Sequence, residues 1–211
     1  MSSSNSLIDS SSIFVADASV VININATKHG LDILRAMPNS LIVTENAIAE
    51  LARGNYRGHT DADEVGKFIE IGAIRSARLV EGAIGVYTSL VEGSALRTLD
   101  DGEAATIAHA HAISGIALID ERKAQRICNR EFPSLRVAST IDILIDDTIR
   151  VALGAQGQIA SIVNALRFAR MRIPPQLVSR VVDLIGAEVA ETCHSLPRAS
   201  RKTRIDNAAG Q

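Results

Sequence analysis

Four carboxylates stand where an acid asks for an explanation. Asp17 ends the apolar run Ile13, Phe14, Val15, Ala16, and Asp120 ends the run of "GIALID". Glu50 lies near the C-terminal end of the helical segment "ENAIAELARG", and Glu103 lies in the first turn of "LDDGEAATIAHAHA". A buried charge is costly unless it is paired, hydrogen-bonded or bound to a metal, so Asp17 requires a partner. Acids at the C-terminal ends of neighbouring parallel strands point into one mouth, and Glu50 and Glu103 can join them there. Four carboxylates in one cleft repel each other and raise one another's pKa unless a cation neutralises them. Oxygen-only ligation, without Cys or His at metal-binding spacing, suits Mg²⁺ or Mn²⁺, and water held by such an ion is a nucleophile. Each acid also has a plainer reading: a cap for the next helix at Asp17, a helix-cap partner at Asp120, a solvated face at Glu50, dipole complementarity at Glu103.

The elements that must position these acids are short and alternate in type. A strand through Phe14–Ala16 leads into "SVVININATKHGLDILRAM", whose helical period is broken and stops before Pro38. "SLIVT" reads as a second buried strand, and Thr44 can cap the helix that closes at Gly54. Between residues 55 and 98 "DADEVGKFIEIGA" is helical, "ARLV" is a candidate strand, and glycines interrupt the rest. Asp100 or Asp101 can cap the Glu103 helix. The Asp120 strand, the helix "ERKAQRICNR", the strand "LRVAS" and a helix opened by Thr140 follow. This succession predicts an α/β fold, a three-layer α/β/α sandwich around a central parallel sheet. C-terminal helices start near residue 156, with Pro174 and Pro175 opening the last. The domain is expected to span 13–192, between a loose leader (1–12) and a disordered basic tail (193–211).

With 211 residues and 46% hydrophobic content the chain can bury a real core. Aromatics at 3% and the absence of Trp speak against stacking of single-stranded bases, and a net charge of −2 against non-specific coating of nucleic acid. Any grip on a phosphate backbone must be local. No secretory signal and no apolar run of about 18 residues is present, so a cytoplasmic protein without a membrane span is expected. Cys128 and Cys193 read as core filler.

"VADASVVIN", "TENAIAELARG", "LDDGEAATIAHAHA" and "ALIDERKAQR", in that order, resemble the motif set of the PIN-domain nucleases, particularly the small prokaryotic, VapC-like toxin-type branch. The resemblance extends from about Ile13 to Glu188. It implies a Mg²⁺-dependent (or Mn²⁺-dependent) endoribonuclease whose catalytic and metal-binding acids are Asp17, Glu50, Glu103 and Asp120, with Ser19 and Thr140 at polar positions beside them. It also implies an RNA substrate, a small antitoxin partner that inserts a segment into the cleft, and a homo-oligomer, a dimer.

Arg122, Arg126 and Arg130, spaced four apart after Asp120, form a basic stripe that either holds RNA phosphates or is a solvated helix face. His109 and His111 fall on different helix faces and read as structural. Asp142, Asp146 and Asp147 read as surface and capping charges, and Arg198, Arg201, Lys202 and Arg204 as a solubilising tail. Two rival readings stay open: an RNase H-like nuclease, whose first acid-bearing strand should enter a hairpin, and a non-catalytic regulator with a receiver-like or flavodoxin-like acidic cleft.

Overall fold

The computed structural model describes residues 12–37, 41–55, 61–94 and 97–198. The expected leader up to residue 11, Pro38, and the tail bases Arg201, Lys202 and Arg204 lie outside these residues.

Five strands form one all-parallel sheet: β1 (Phe14–Ala16), β2 (Leu41–Thr44), β3 (Ile74–Ala77), β4 (Ile116–Leu118) and β5 (Arg136–Ala138), in the order β3-β2-β1-β4-β5. The inner strands β1, β2 and β4 bury alternate residues on opposite faces. Phe14, Ala16, Leu41, Val43, Ile116 and Leu118 enter one core; Val15, Ile42, Ala117 and Ile119 enter the other. On the first face lie α1 (Ala18–Ala26), α2 (Gly30–Ala36), α3 (Glu45–Asn55), α4 (Asp61–Glu70), and the C-terminal helices. On the second lie α5 (Ile84–Val91), α6 (Asp101–Ala112) and α7 (Arg122–Glu131). Helices on both sides make the expected three-layer α/β/α sandwich. Fully buried side chains such as Ile24, Ile33, Ile107 and Leu118 anchor it, at about 1.5–3 kcal/mol each. The parallel strand after Asp17 excludes the hairpin that an RNase H-like chain would need there.

Caps set several boundaries. Thr44 Oγ1 accepts from Ala47 N–H (3.3 Å) and starts α3 as expected. The broken helix after Asp17 is two helices, because the chain turns at Lys28 with φ +65°. The third strand starts three residues before "ARLV" and ends on its Ala77: β3 pairs residue by residue with β2 and buries only Ile74 fully, the pattern of an edge strand. The helix attributed to Thr140 is also differently divided. Ser139 caps α8 (Thr140–Leu144) in a reciprocal box with Asp142, and Asp146 accepts from Thr148 N–H (2.9 Å) to start α9 (Asp147–Phe168), which kinks at Gly154. Capping roles thus fall to Asp142 and Asp146, while Asp147 pairs with Arg150 at the surface. The chain ends in α10 (Val178–Ile185) and α11 (Ala187–Glu191). Cys193 and Leu196 are buried in the first core, so packed chain continues past the boundary drawn at residue 193.

Candidate active site

β1 has β2 on one side and β4 on the other, so the chain winds outward in opposite directions from the β1–β4 pair. The loops leaving these strands diverge, and a crevice opens beyond their C-terminal ends. A cavity of about 270 Å³ lies there, lined by all four sequence-predicted acids, Asp17, Glu50, Glu103 and Asp120. At about 30 Å³ per water it has room for a phosphodiester with some of its waters.

Asp17 caps α1. Its Oδ2 accepts from Ser19 N–H (3.3 Å) and Ser19 Oγ–H (2.8 Å). Its Oδ1 is buried without a hydrogen-bond partner among the described residues. Leaving such an atom unsatisfied costs about 1–3 kcal/mol, so the position is held for something other than stability. Burial raises the Asp17 pKa, the Ser19 hydrogen bonds oppose it, and the charge of Asp100 adds to the rise.

Asp120 is held differently. Oδ1 accepts from Thr140 N–H (2.8 Å), and Oδ2 from Thr140 Oγ–H (2.5 Å) and Asn23 Nδ2–H (2.6 Å). Burial still pushes its pKa up to about 6 against these donors. Thr140, expected beside the substrate, therefore positions Asp120, and Ser19 holds Asp17 while also lining the cavity. Glu50 is half-buried, its pKa raised by burial and then by Asp17 and Asp100. Glu103 is pushed up to about 7 by burial, with Asp17 and Asp100 next in weight.

Sequence reasoning missed Asn23, Asp100, Glu121, Arg170 and Arg172, which also line the cavity. A signal existed for Asn23, an amide between Ile22 and Ile24 on the buried side of a largely apolar helix. For Asp100 and Asp101 only the fold separates the two roles. Asp101 Oδ1 accepts from Tyr87 Oη–H (2.5 Å) and Asn46 Nδ2–H (3.0 Å), tying α6 to α5 and α3, while Asp100 makes no side-chain cap and faces the cavity. Arg172 pairs with Glu121. None of Arg122, Arg126 and Arg130 lines the cavity; all three are exposed along α7, and Arg130 pairs with Glu131. His109 is buried in α6, and His111 meets the edge of the Phe132 ring.

Gly102 holds space open for the acids. A Cβ there would sit 2.4 Å from Glu50 Oε2 and 3.3 Å from Asp17 Oδ1. The first contact is the end of a flexible side chain, so Gly102→Ala should fold normally while displacing Glu50. Thermal melting should shift by no more than a few degrees and any activity that depends on this acidic cluster should drop by about tenfold or more. Retained activity with Glu50 displaced would remove Glu50 from the site.

The raised carboxyl pKa values fix a pH dependence. Folding favours the protonated form of Glu103, so this group's contribution to the stability of the free protein is greatest below the unfolded value near 4.5. That contribution falls as pH rises towards 7, where the folded group also ionises. Asp120 acts in the same direction between its ordinary 3.8 and about 6. In EDTA, Glu103→Gln should melt with the wild type near pH 4.5. Near pH 8 it should melt higher by roughly 2–8 °C, taking about 1–2 kcal/mol after discounting for partial exposure. Equal melting at both pH values would contradict the burial of Glu103.

Among the described residues no three His, Cys, Asp or Glu side chains stand close enough together to hold a metal ion as they are. The donor set nonetheless fits a hard divalent cation: it is all oxygen, one buried Asp17 oxygen lacks a partner, and a glycine keeps the space beside it open. No helix among the described residues is long and apolar enough to cross a membrane. Comparison with curated proteins and with solved structures finds no match. A family model described as PIN domain matches residues 13–187, the span that carries the whole sheet and every acid of the cavity, and the chain belongs to the PIN-domain superfamily of nucleases.

Proposed function

We propose that this PIN domain is a divalent-metal-dependent endoribonuclease, using Mg²⁺ or Mn²⁺, with Asp17, Glu50, Glu103 and Asp120 as its acidic site. The observation that carries the reading is Asp17: a buried carboxylate with one oxygen unsatisfied, facing a cavity ringed by further acids at the switch point of the sheet.

Hydrolysis requires a water to attack phosphorus in line with the departing 3′-oxygen. A new O–P bond forms, the P–O3′ bond breaks, the attacking water gives up a proton, and the 3′-oxygen gains one. Asp17, Glu50 and Glu103 would hold the cation, with Asp120 adding charge from behind its hydrogen bonds. When bound, such an ion offsets the carboxylates' repulsion, polarises the phosphate and lowers the pKa of water. Ser19 keeps one Asp17 oxygen engaged so that the other stays available. Asn23 and Thr140 fix Asp120 from two different elements. Glu103, which lines the same cavity, would accept the water's proton at a carboxylate oxygen not engaged with the cation. The Arg122, Arg126 and Arg130 stripe, outside the cavity, steers the strand by its charge.

The resemblance of the motif set to toxin-type PIN nucleases supports a role as the toxin of a toxin–antitoxin pair, working as a dimer in the cytoplasm and held inactive by a small protein whose inserted segment fills the cleft. The test of the enzyme is direct. Purified protein incubated with a single-stranded RNA should cut it internally in Mg²⁺ or Mn²⁺, and intact RNA in every divalent cation tried would refute the reading.

A further inference from the structure

α9 ends in a way that places one arginine between two cavities. Ala169 N–H and Met171 N–H both return to Ala165 C=O, and between them Arg170 adopts φ +54°. This left-handed position after a helix is usually glycine, because a Cβ is strained there. Met171 and Ile173 are buried on either side, so Arg170 and Arg172 are turned outward. An arginine kept where glycine is favoured points to use of its side chain. Arg172 is engaged by Glu121, but among the described residues Arg170 makes no side-chain ion pair or hydrogen bond.

Arg170 lines the acidic cavity and also a second one, of about 580 Å³. The second is otherwise lined by Leu166, Arg167, Thr192, His194 and Ser195, with no carboxylate among them. Its geometry is fixed: Arg167 Nη2–H donates to Thr192 Oγ1, which donates to Val189 C=O, and Ser195 Oγ–H donates to Leu166 C=O. Two guanidinium groups and an imidazole around one space match a phosphate group, while the two hydroxyls, their protons given to backbone carbonyls, fix its wall. This is the local grip that a chain of net charge −2 requires.

We propose that the second cavity is a subsite for a backbone phosphate of the RNA strand adjoining the one to be cut, with Arg170 bridging the two and Arg167 and His194 completing the subsite. The proposal rests on the nuclease reading only in naming the strand as substrate.

Binding of fluorescently labelled decauridylate to the full chain in EDTA, as a function of salt, tests it. Arg170→Gly relieves the left-handed strain, so its melting temperature should equal or exceed that of the wild type while affinity falls about tenfold. Arg167→Gln, which leaves the acidic cavity untouched, should also weaken binding and reduce the slope of log K against log salt by about 0.7 per lost contact. Arg167→Lys should retain most of the slope. Wild-type affinity and slope in both Arg170→Gly and Arg167→Gln would overturn the subsite, even in a protein that cuts RNA. Weakened binding in both variants, in a protein that cuts no RNA in any divalent cation, would uphold the subsite and sink the nuclease reading. No RNA binding by the wild type would overturn the subsite.

Discussion

Asp17→Asn should lower RNA cleavage by about 10³-fold or more, and in EDTA at pH 8 the same substitution should raise the melting temperature by roughly 2–4 °C. The two effects have one cause. The carboxylate is buried, and only one of its oxygens is satisfied, by Ser19. Without a cation the charge there opposes folding, and a neutral amide of the same shape removes that penalty. Asp120→Asn separates the two functions of an acid at this mouth. It too should abolish most cleavage, but it should raise stability less than Asp17→Asn does, because an amide cannot accept from Thr140 N–H, Thr140 Oγ–H and Asn23 together and the gain from removing the buried charge is offset. Cleavage assays and thermal melting on the two variants read both outcomes. Wild-type cleavage by Asp17→Asn would remove this residue from the chemistry, and destabilisation by it would mean that Oδ1 has a partner that stabilises the fold.

Chelation should stop cleavage outright, and the ends made in Mg²⁺ or Mn²⁺ should be 5′-phosphate and 3′-hydroxyl. A ribonuclease that uses the RNA's own 2′-hydroxyl needs a general acid and base around the phosphate and leaves a 2′,3′-cyclic phosphate without a metal. The paired histidines, read as structural from their spacing, do not line the cavity: His109 is packed inside α6 and His111 lies against Phe132. What lines it includes four acids that burial raises above their ordinary pKa values, a set suited to a divalent cation that would activate external water. An RNA with a single 2′-deoxy substitution at the cut should therefore still be cleaved. Mapping both ends of one defined product decides the matter, and cyclic-phosphate ends formed in EDTA would exclude the proposed chemistry.

The alternation of apolar runs with helical periods was enough to specify strands, helices and a parallel sheet. Short strands buried on both faces cannot be confused with hairpins once helices separate them. The strand-end positions of Asp17 and Asp120 follow from the same local pattern, and so does the cap at Thr44, because a cap binds backbone within three residues of itself. The weakly patterned stretch before Asp100 yielded its edge strand only in the fold, since β3 buries a single side chain fully and is defined by pairing with β2.

Other features depended on distance in the chain being cancelled by packing. The order β3-β2-β1-β4-β5 sets β1 beside β4 and so creates the crevice, and no local pattern encodes which strands neighbour each other. Asp100 and Asp101 are equivalent as cap candidates, yet the seating of α6 against α3 and α5 turns one into the cavity and binds the other to Tyr87 and Asn46. Asn23 reaches Asp120 across 97 residues. The basic stripe on α7 looked suited to phosphate because its spacing makes one helix face, but spacing says nothing of where that face points. The exposed face of α7 lies outside the cavity, and the arginines at its rim, Arg170 and Arg172, come from the chain reversal after α9. The sequence alone determined which residues carry charge and which local element holds each. Which charges meet was decided by the burial of two separate cores against one sheet, because that packing fixes the rotation and approach of every helix.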